Sequence, residues 1–151
     1  MLEKLRRMFQ KTTPPSKIDT QQEARECSIA LLVEAALADG IYANIEQDII
    51  LNVIKQSFSL NDSDAAKLLE KSEQRADMAV DHYAFTSVIK KNMPKEQRVA
   101  LIGHLWDVTF ADGEESPFED ALIRRVASLL AVTDHERASA KRAAQGRSKK
   151  P

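Results

Sequence analysis

The stretch "ALADGIYANIEQDII", residues 36–50, decides the fold, because "TFADGEESPFEDALI", residues 109–123, repeats its skeleton. Each copy contains Ala-Asp-Gly, then five residues, a Glu and an apolar run. Glycine adopts the left-handed conformation with which many helices end, so Asp-Gly is typical of a corner after a helix. The apolar residues that follow recur at helical spacing. Each copy therefore predicts a helix, an Asp-Gly corner and a second helix.

The two corners lie 73 positions apart, and the match extends into the flanking helices. Leu37 corresponds to Phe110 before the corner, and Ile50 corresponds to Ile123 after it. A doubled helix–corner–helix unit indicates two related halves packed about a pseudo-twofold axis. The predicted fold class is all-α, a compact bundle of about seven helices built from these two halves.

The composition agrees with this fold class and excludes several functions. The chain has 151 residues with 43% hydrophobic residues, enough for one domain with a real core, and only four Gly and five Pro. The net charge of −1 argues against nucleic acid as a partner. Cys27 is the single cysteine and cannot form an internal disulfide, so we expect a buried thiol in a reducing compartment. We also expect a cytoplasmic protein, because no signal peptide or spanning segment is evident.

Three regions follow from the charge and proline pattern. The opening "MLEKLRRMFQ" alternates apolar and basic residues at helical spacing, and Pro14 and Pro15 interrupt any helix after it. The closing "KRAAQGRSKKP" is basic and lacks apolar periodicity. The predicted regions are an amphipathic N-terminal helix with a proline linker (1–17), the helical domain (18–136) and a basic, disordered tail (137–151).

Within the domain, apolar periodicity and turn residues place the helices. "SPFE" indicates a helix start with Ser116 as N-cap, Pro117 in the first position and Glu119 closing a capping box. Trp106 lies in an apolar helix and is expected in the core. The predicted helices cover about 18–38, 44–58, 61 onward, 81–91, 94–110, 117 onward and 133 onward.

The Gly-x5-Glu spacing also occurs in an EF-hand loop, where the last Glu binds Ca²⁺. Counted back from the Glu, the first and third ligand positions fall on apolar residues in both copies, which excludes a true EF-hand. These positions are Ala35, Leu37, Val108 and Phe110.

Four carboxylates remain, from Asp39, Glu46, Asp112 and Glu119. If the pseudo-twofold brings the corners together, they offer the oxygen ligands that Ca²⁺ or Mg²⁺ prefers. The alternative is purely structural, because Asp closes turns and Glu in a first helical turn accepts backbone N–H groups. The residues alone leave both interpretations open.

The doubled Ala-Asp-Gly-x5-Glu motif on helical hairpins resembles the tellurite-resistance TerB-like family, over about Cys27 to Val132. The resemblance implies a stand-alone helical module of stress response. It also implies that Asp39, Glu46, Asp112 and Glu119 are the counterparts of the family's candidate divalent-cation site. A relative of this domain is fused to a J-domain in a membrane co-chaperone, but this chain lacks the His-Pro-Asp motif, so that activity does not carry over.

The other polar residues give no support for catalysis. His104 and Asp107 are three apart on a predicted helix, which suits either an oriented imidazole or an ordinary hydrogen-bonded histidine. No phosphate loop, nucleophile motif or paired metal-binding histidines occur. We therefore expect no enzyme activity.

Two hypotheses for function remain. The first is a non-enzymatic TerB-like binding module with an unidentified protein partner and a divalent cation. The second is a peripheral membrane adaptor, localised by the amphipathic helix at residues 1–10.

Overall fold

A computed structural model of the protein describes residues 17–37, 42, 44–79, 83–112 and 117–148. These residues form seven α-helices and one short 3₁₀ helix, with no strand among them, so the all-α prediction is confirmed. The helix predicted within residues 1–10 lies outside the described residues. The helices are α1 (Lys17–Leu37), α2 (Asn44–Phe58), α3 (Asp62–Met78), α4 (Tyr83–Asn92), α5 (Lys95–Thr109), η1 (Phe110–Asp112), α6 (Pro117–Leu129) and α7 (Asp134–Ser148).

Helix α1 lies at the centre of the bundle and packs against α2, α3, α4, α5 and α6. Between Ala24 and Ala36, every side chain except those of Arg25 and Glu34 is buried. A helix surrounded by neighbours has no polar face, which explains why its apolar residues extend all round. Its buried residues therefore do not form a single stripe, and Leu37, at the end of the helix, is 44% exposed.

A buried charge on α1 is held by an ion pair. Glu26 is 8% exposed, and its carboxylate accepts hydrogen bonds from Arg75 Nε at 2.8 Å and Gln22 Nε2 at 3.1 Å. The hydrogen bond to Glu26 raises the pKa of Arg75 above its ordinary value. Because Arg75 belongs to α3, this pair ties α3 to the central helix.

Helix α5 is the second central element and contacts α1, α2, α6, α7 and η1. Trp106 is 1% exposed, as expected of a core residue, and its ring stacks on Phe110 at a centroid distance of 5.5 Å. The Lys141 ammonium of α7 lies 4.6 Å from the Trp106 ring centroid. The aromatic pair thus connects α5 to η1, and the cation–π contact connects it to α7.

Each half has a third helix that covers its central helix. Helix α3 packs on α1, and α7 packs on α5. The halves also contact each other crosswise, with α2 against α5 and α6 against α1. A pseudo-twofold arrangement predicts this pattern. Helix α4 joins the halves and packs against α1 and α6.

The disorder predicted for residues 137–151 is wrong as far as Ser148, because α7 continues to that residue. Ala144 is fully buried and Ala140 packs on the core, so α7 approaches α5 through small side chains. Arg147 also makes two hydrogen bonds of 3.1 Å to the Asp107 carboxylate. Alanines give a weak periodicity signal beside so many basic residues, and the apolar surface they cover belongs to α5.

The start of α7 carries a capping box that the sequence analysis missed. Thr133 N donates to Glu136 Oε1 at 2.9 Å, and Glu136 N donates to Thr133 Oγ1 at 3.1 Å. Lys95 Nζ lies 3.1 Å from the same Glu136 oxygen, so the cap also attaches α7 to the first turn of α5. The predicted start of α6 at Pro117 is confirmed, while Ser116 lies outside the described residues.

The position of α7 predicts opposite results for two neighbouring alanines. Ala144→Asp places a carboxylate in the contact with α5 and should destabilise the protein by about 3 kcal/mol. Ala143→Asp, at the adjacent exposed position, should change stability by less than about 0.5 kcal/mol. Urea unfolding followed by circular dichroism measures both. Equal, small effects would show that α7 does not pack on α5 in solution.

The capping box predicts an acid dependence of stability. The Thr133 backbone N–H, followed by Lys95, lowers the pKa of Glu136 from 4.5 to about 2. Because the folded pKa lies below the unfolded one, the stabilisation is present above about pH 4.5 and is lost as the pH falls towards 2. The unfolding free energy of Glu136→Gln should therefore fall less steeply than that of the wild type over this range. Glu96→Gln, a control in the first turn of α5, should keep the wild-type slope. Parallel curves for all three proteins would contradict the assignment.

Candidate functional site

The structure describes only part of the predicted four-carboxylate site. Glu46 and Glu119 lie in the first turns of α2 and α6, and each is only 5% exposed. Asp112 is the last residue of η1, but its side chain is not among those described, and Asp39 lies outside the described residues. Among the described side chains, no group of three or more His, Cys, Asp or Glu is arranged to hold a metal ion. The complete site therefore stays a prediction.

The glutamate that follows each corner is buried in both halves. Glu46 and Glu119 occupy equivalent places, seven residues after each corner's Asp. At the start of a helix, free backbone N–H groups and the helix dipole favour a carboxylate. A carboxylate so far from water needs such donors or a cation beside it. Burial therefore agrees with both interpretations of the motif.

The start of the second corner lies against the helix that follows the first corner. Helix η1 packs against α2, and the two line a cavity of about 520 Å³. Its lining includes Phe110 and Ala111 from η1 and Ile49 from α2. Ile49 lies three residues after Glu46, close to one helical turn. The tertiary structure thus brings η1 to within about one turn of Glu46 along α2.

A tyrosine and a third glutamate add to the surroundings of Glu46. Burial is the main cause that raises the pKa of Tyr42 well above its ordinary value, and the Glu73 carboxylate is the next. Glu46 adds a smaller effect of the same sign. Two carboxylates therefore give the surroundings of Tyr42, just after the first corner, a negative charge. The sequence analysis missed Glu73 because it belongs to α3, on a different repeat element.

A buried hydroxyl lies near the second corner. Thr109 is 1% exposed, and its Oγ1 has no hydrogen-bond partner among the residues that the structure describes. A helical threonine ordinarily bonds a carbonyl one turn earlier, so an unsatisfied hydroxyl is unusual. It lies three residues before Asp112 and offers one more oxygen there. Within an apolar run, this threonine gave no signal in the sequence.

His104 and Asp107 form part of a surface cluster with Arg147. His104 Nδ1 lies 3.5 Å from Asp107 Oδ2, and Arg147 binds the same carboxylate through two nitrogens. The Asp107 charge is thus matched by a guanidinium from α7. Asp107 therefore anchors α7, while the buried His104 Nδ1 makes no hydrogen bond within the described residues, so neither interpretation of this histidine is decided.

Two Asp-Gly helical hairpins packed crosswise in an all-α bundle define a class of duplicated helical modules. A family model described as "Tellurite resistance protein TerB" matches residues 25–142, and the chain belongs to that family. The resemblance inferred from the motif is confirmed. Neither the curated proteins nor the solved structures gave a match. No helix in the described part of the chain is both long and apolar enough to cross a membrane.

The environment of Tyr42 predicts a late phenol titration. The chain has two tyrosines, so Tyr83→Phe leaves Tyr42 as the only one. In this variant, the ultraviolet absorbance of phenolate should rise only well above pH 10, the ordinary pKa. Because the pKa of Tyr42 is higher in the folded than in the unfolded protein, the stabilisation linked to its neutral phenol is present below about pH 10. It is lost as the pH rises above that value. The same variant unfolded in denaturant should titrate near 10. Identical folded and unfolded titrations would show that Tyr42 is not buried beside the acidic corner.

Proposed function

We propose that the chain is a non-enzymatic binding module of the tellurite-resistance family, which binds Ca²⁺ or Mg²⁺ at its two acidic corners. The observation that carries the proposal is the equal burial of Glu46 and Glu119, at 5% exposure each. Two equivalent carboxylates held away from water after matching Asp-Gly corners would supply half of a ligand set. Asp39 and Asp112 would complete it.

The donor chemistry fits a hard divalent cation. The four predicted ligands are carboxylates, and Ca²⁺ and Mg²⁺ bind oxygen ligands almost exclusively. Glu73 and the buried Thr109 hydroxyl add oxygen atoms near the two corners. A bound cation would offset the repulsion among these carboxylates. It would also connect the two hairpins, because each half supplies two of the predicted ligands.

The surface beside the corners supports a role in protein binding. Ile45 and Phe118 come immediately before the two buried glutamates and are 53% and 79% exposed. They occupy the same position of the repeat, 73 residues apart. Large exposed apolar side chains are typical of contact surfaces when they recur in a pattern. A partner that contacts both corners would bind differently when the cation is present and when it is absent. The membrane-adaptor hypothesis depends on residues 1–10 and stays a prediction from the sequence.

Metal titration tests the cation. Wild-type protein titrated with CaCl₂ or MgCl₂ should release or absorb heat, and a concentration of 100 times Kd should stabilise it by about 2.7 kcal/mol. The double variant Asp39→Asn with Asp112→Asn should lose both responses and keep its helical circular dichroism. A control with the same charge change, Glu70→Gln with Asp77→Asn, alters exposed positions of α3 and should behave as the wild type.

Two results would contradict the proposal. If the wild-type protein shows neither a heat of binding nor a shift in melting temperature with either ion, cation binding is ruled out. The corners would then act only as helix caps. Equal loss of binding in the control variant would show that net charge, and not the corner, attracts the ion.

A further inference from the structure

A pocket of about 290 Å³ opens at the start of α1, away from the corner that follows its end. It lies between α1, the last turns of α2 and the first half of α5. Its rim is polar and includes Gln21, Ser57 and Gln97. The apolar side chains that line it are Ile29, Leu32, Val53, Phe58, Met93 and Leu101. Nearly half of the lining residues are polar or charged, so the pocket offers both a polar and an apolar surface to a small ligand.

Arg25 is the charged residue of this pocket. Its guanidinium lies over the Phe58 ring, 4.8 Å from the centroid, and the side chain is half-buried. Within the described residues, no carboxylate lies within ion-pair distance of Arg25, and the neighbouring Glu26 is engaged by Arg75. A partly desolvated guanidinium without a carboxylate favours an anionic ligand, and its planar donors suit a carboxylate.

His104 contributes a second polar group to the same pocket. Its Nδ1 is buried and lies on the side of Asp107, at 3.5 Å. The other ring nitrogen, Nε2, is then the one left to meet a ligand. Arg25 and His104 thus provide donors at the edge of an apolar surface.

We propose that this pocket binds a small organic acid, with its carboxylate on Arg25 and a short aliphatic tail on the apolar surface. One guanidinium matches one negative charge, which suits a monocarboxylate better than a polyphosphate. A volume of about 290 Å³ is at the lower end of ligand pockets, which favours a short tail. The site is separate from the acidic corners, which would bind a cation, so either proposal can fail alone.

Sodium octanoate is the probe, with 1-octanol as the uncharged molecule of equal tail length. Calorimetric titration of the full chain should show saturable binding of octanoate, at least about tenfold tighter than that of octanol. Arg25→Gln should weaken octanoate binding by about tenfold or more, because the charged hydrogen bonds are lost. Arg142→Gln removes the same charge from an exposed position of α7 and should bind as the wild type.

A blocking variant provides a second test that leaves Arg25 in place. Ala100 lines the pocket and is exposed, so Ala100→Leu fills space without entering the core. It should weaken octanoate binding while the melting temperature stays close to that of the wild type. Three results would each overturn the proposal: no saturable octanoate binding, equal affinity for octanol, or unchanged binding in both Arg25→Gln and Ala100→Leu.

Discussion

The fold depends on the burial of α1 and α5, two helices that lack a polar face. Ile29, Leu31 and Leu32 on α1 are 2% exposed or less, and burying each stabilises the fold by about 1.5–3 kcal/mol. Residues on opposite sides of one helix cannot all be covered by a single neighbour. Each central helix therefore needs contacts all round, and α1 and α5 each pack against four or more other elements. The remaining helices are arranged by this requirement.

Each central helix carries a carboxylate that pairs with an arginine of the helix covering it. Glu26 on α1 pairs with Arg75, and Asp107 on α5 pairs with Arg147. Each arginine lies in the last turn of the third helix of its half. Arg147 binds its carboxylate through two nitrogens and Arg75 through one, and each arginine fixes the far end of its covering helix. Glu26 and Asp107 occupy different positions of the repeat, so these ion pairs are not part of the duplicated motif.

The corners and the pocket are different kinds of site on one framework. Each corner follows the end of a central helix and is followed by a buried glutamate, Glu46 or Glu119, and Glu73 lies near Tyr42 after the first corner. The pocket lies at the start of α1 and presents a guanidinium that no described carboxylate neutralises. If both proposals hold, the two sites would take ligands of opposite charge, a cation at the corners and an organic acid in the pocket.

The sequence by itself determined the all-α class, most helix positions, the duplication and the family, because these depend on local periodicity and on a corner that Asp-Gly marks directly. The spacing of the repeat also marked Glu46 and Glu119 as candidates for metal ligands or helix caps. The tertiary structure decided that both are buried, that η1 packs on α2 and that Glu73 lies near Tyr42, since these depend on elements distant in sequence. It likewise decided that the basic C-terminal segment is a helix. Ala140 and Ala144 carry too little apolar surface to predict it, and the surface that makes α7 stable belongs to α5.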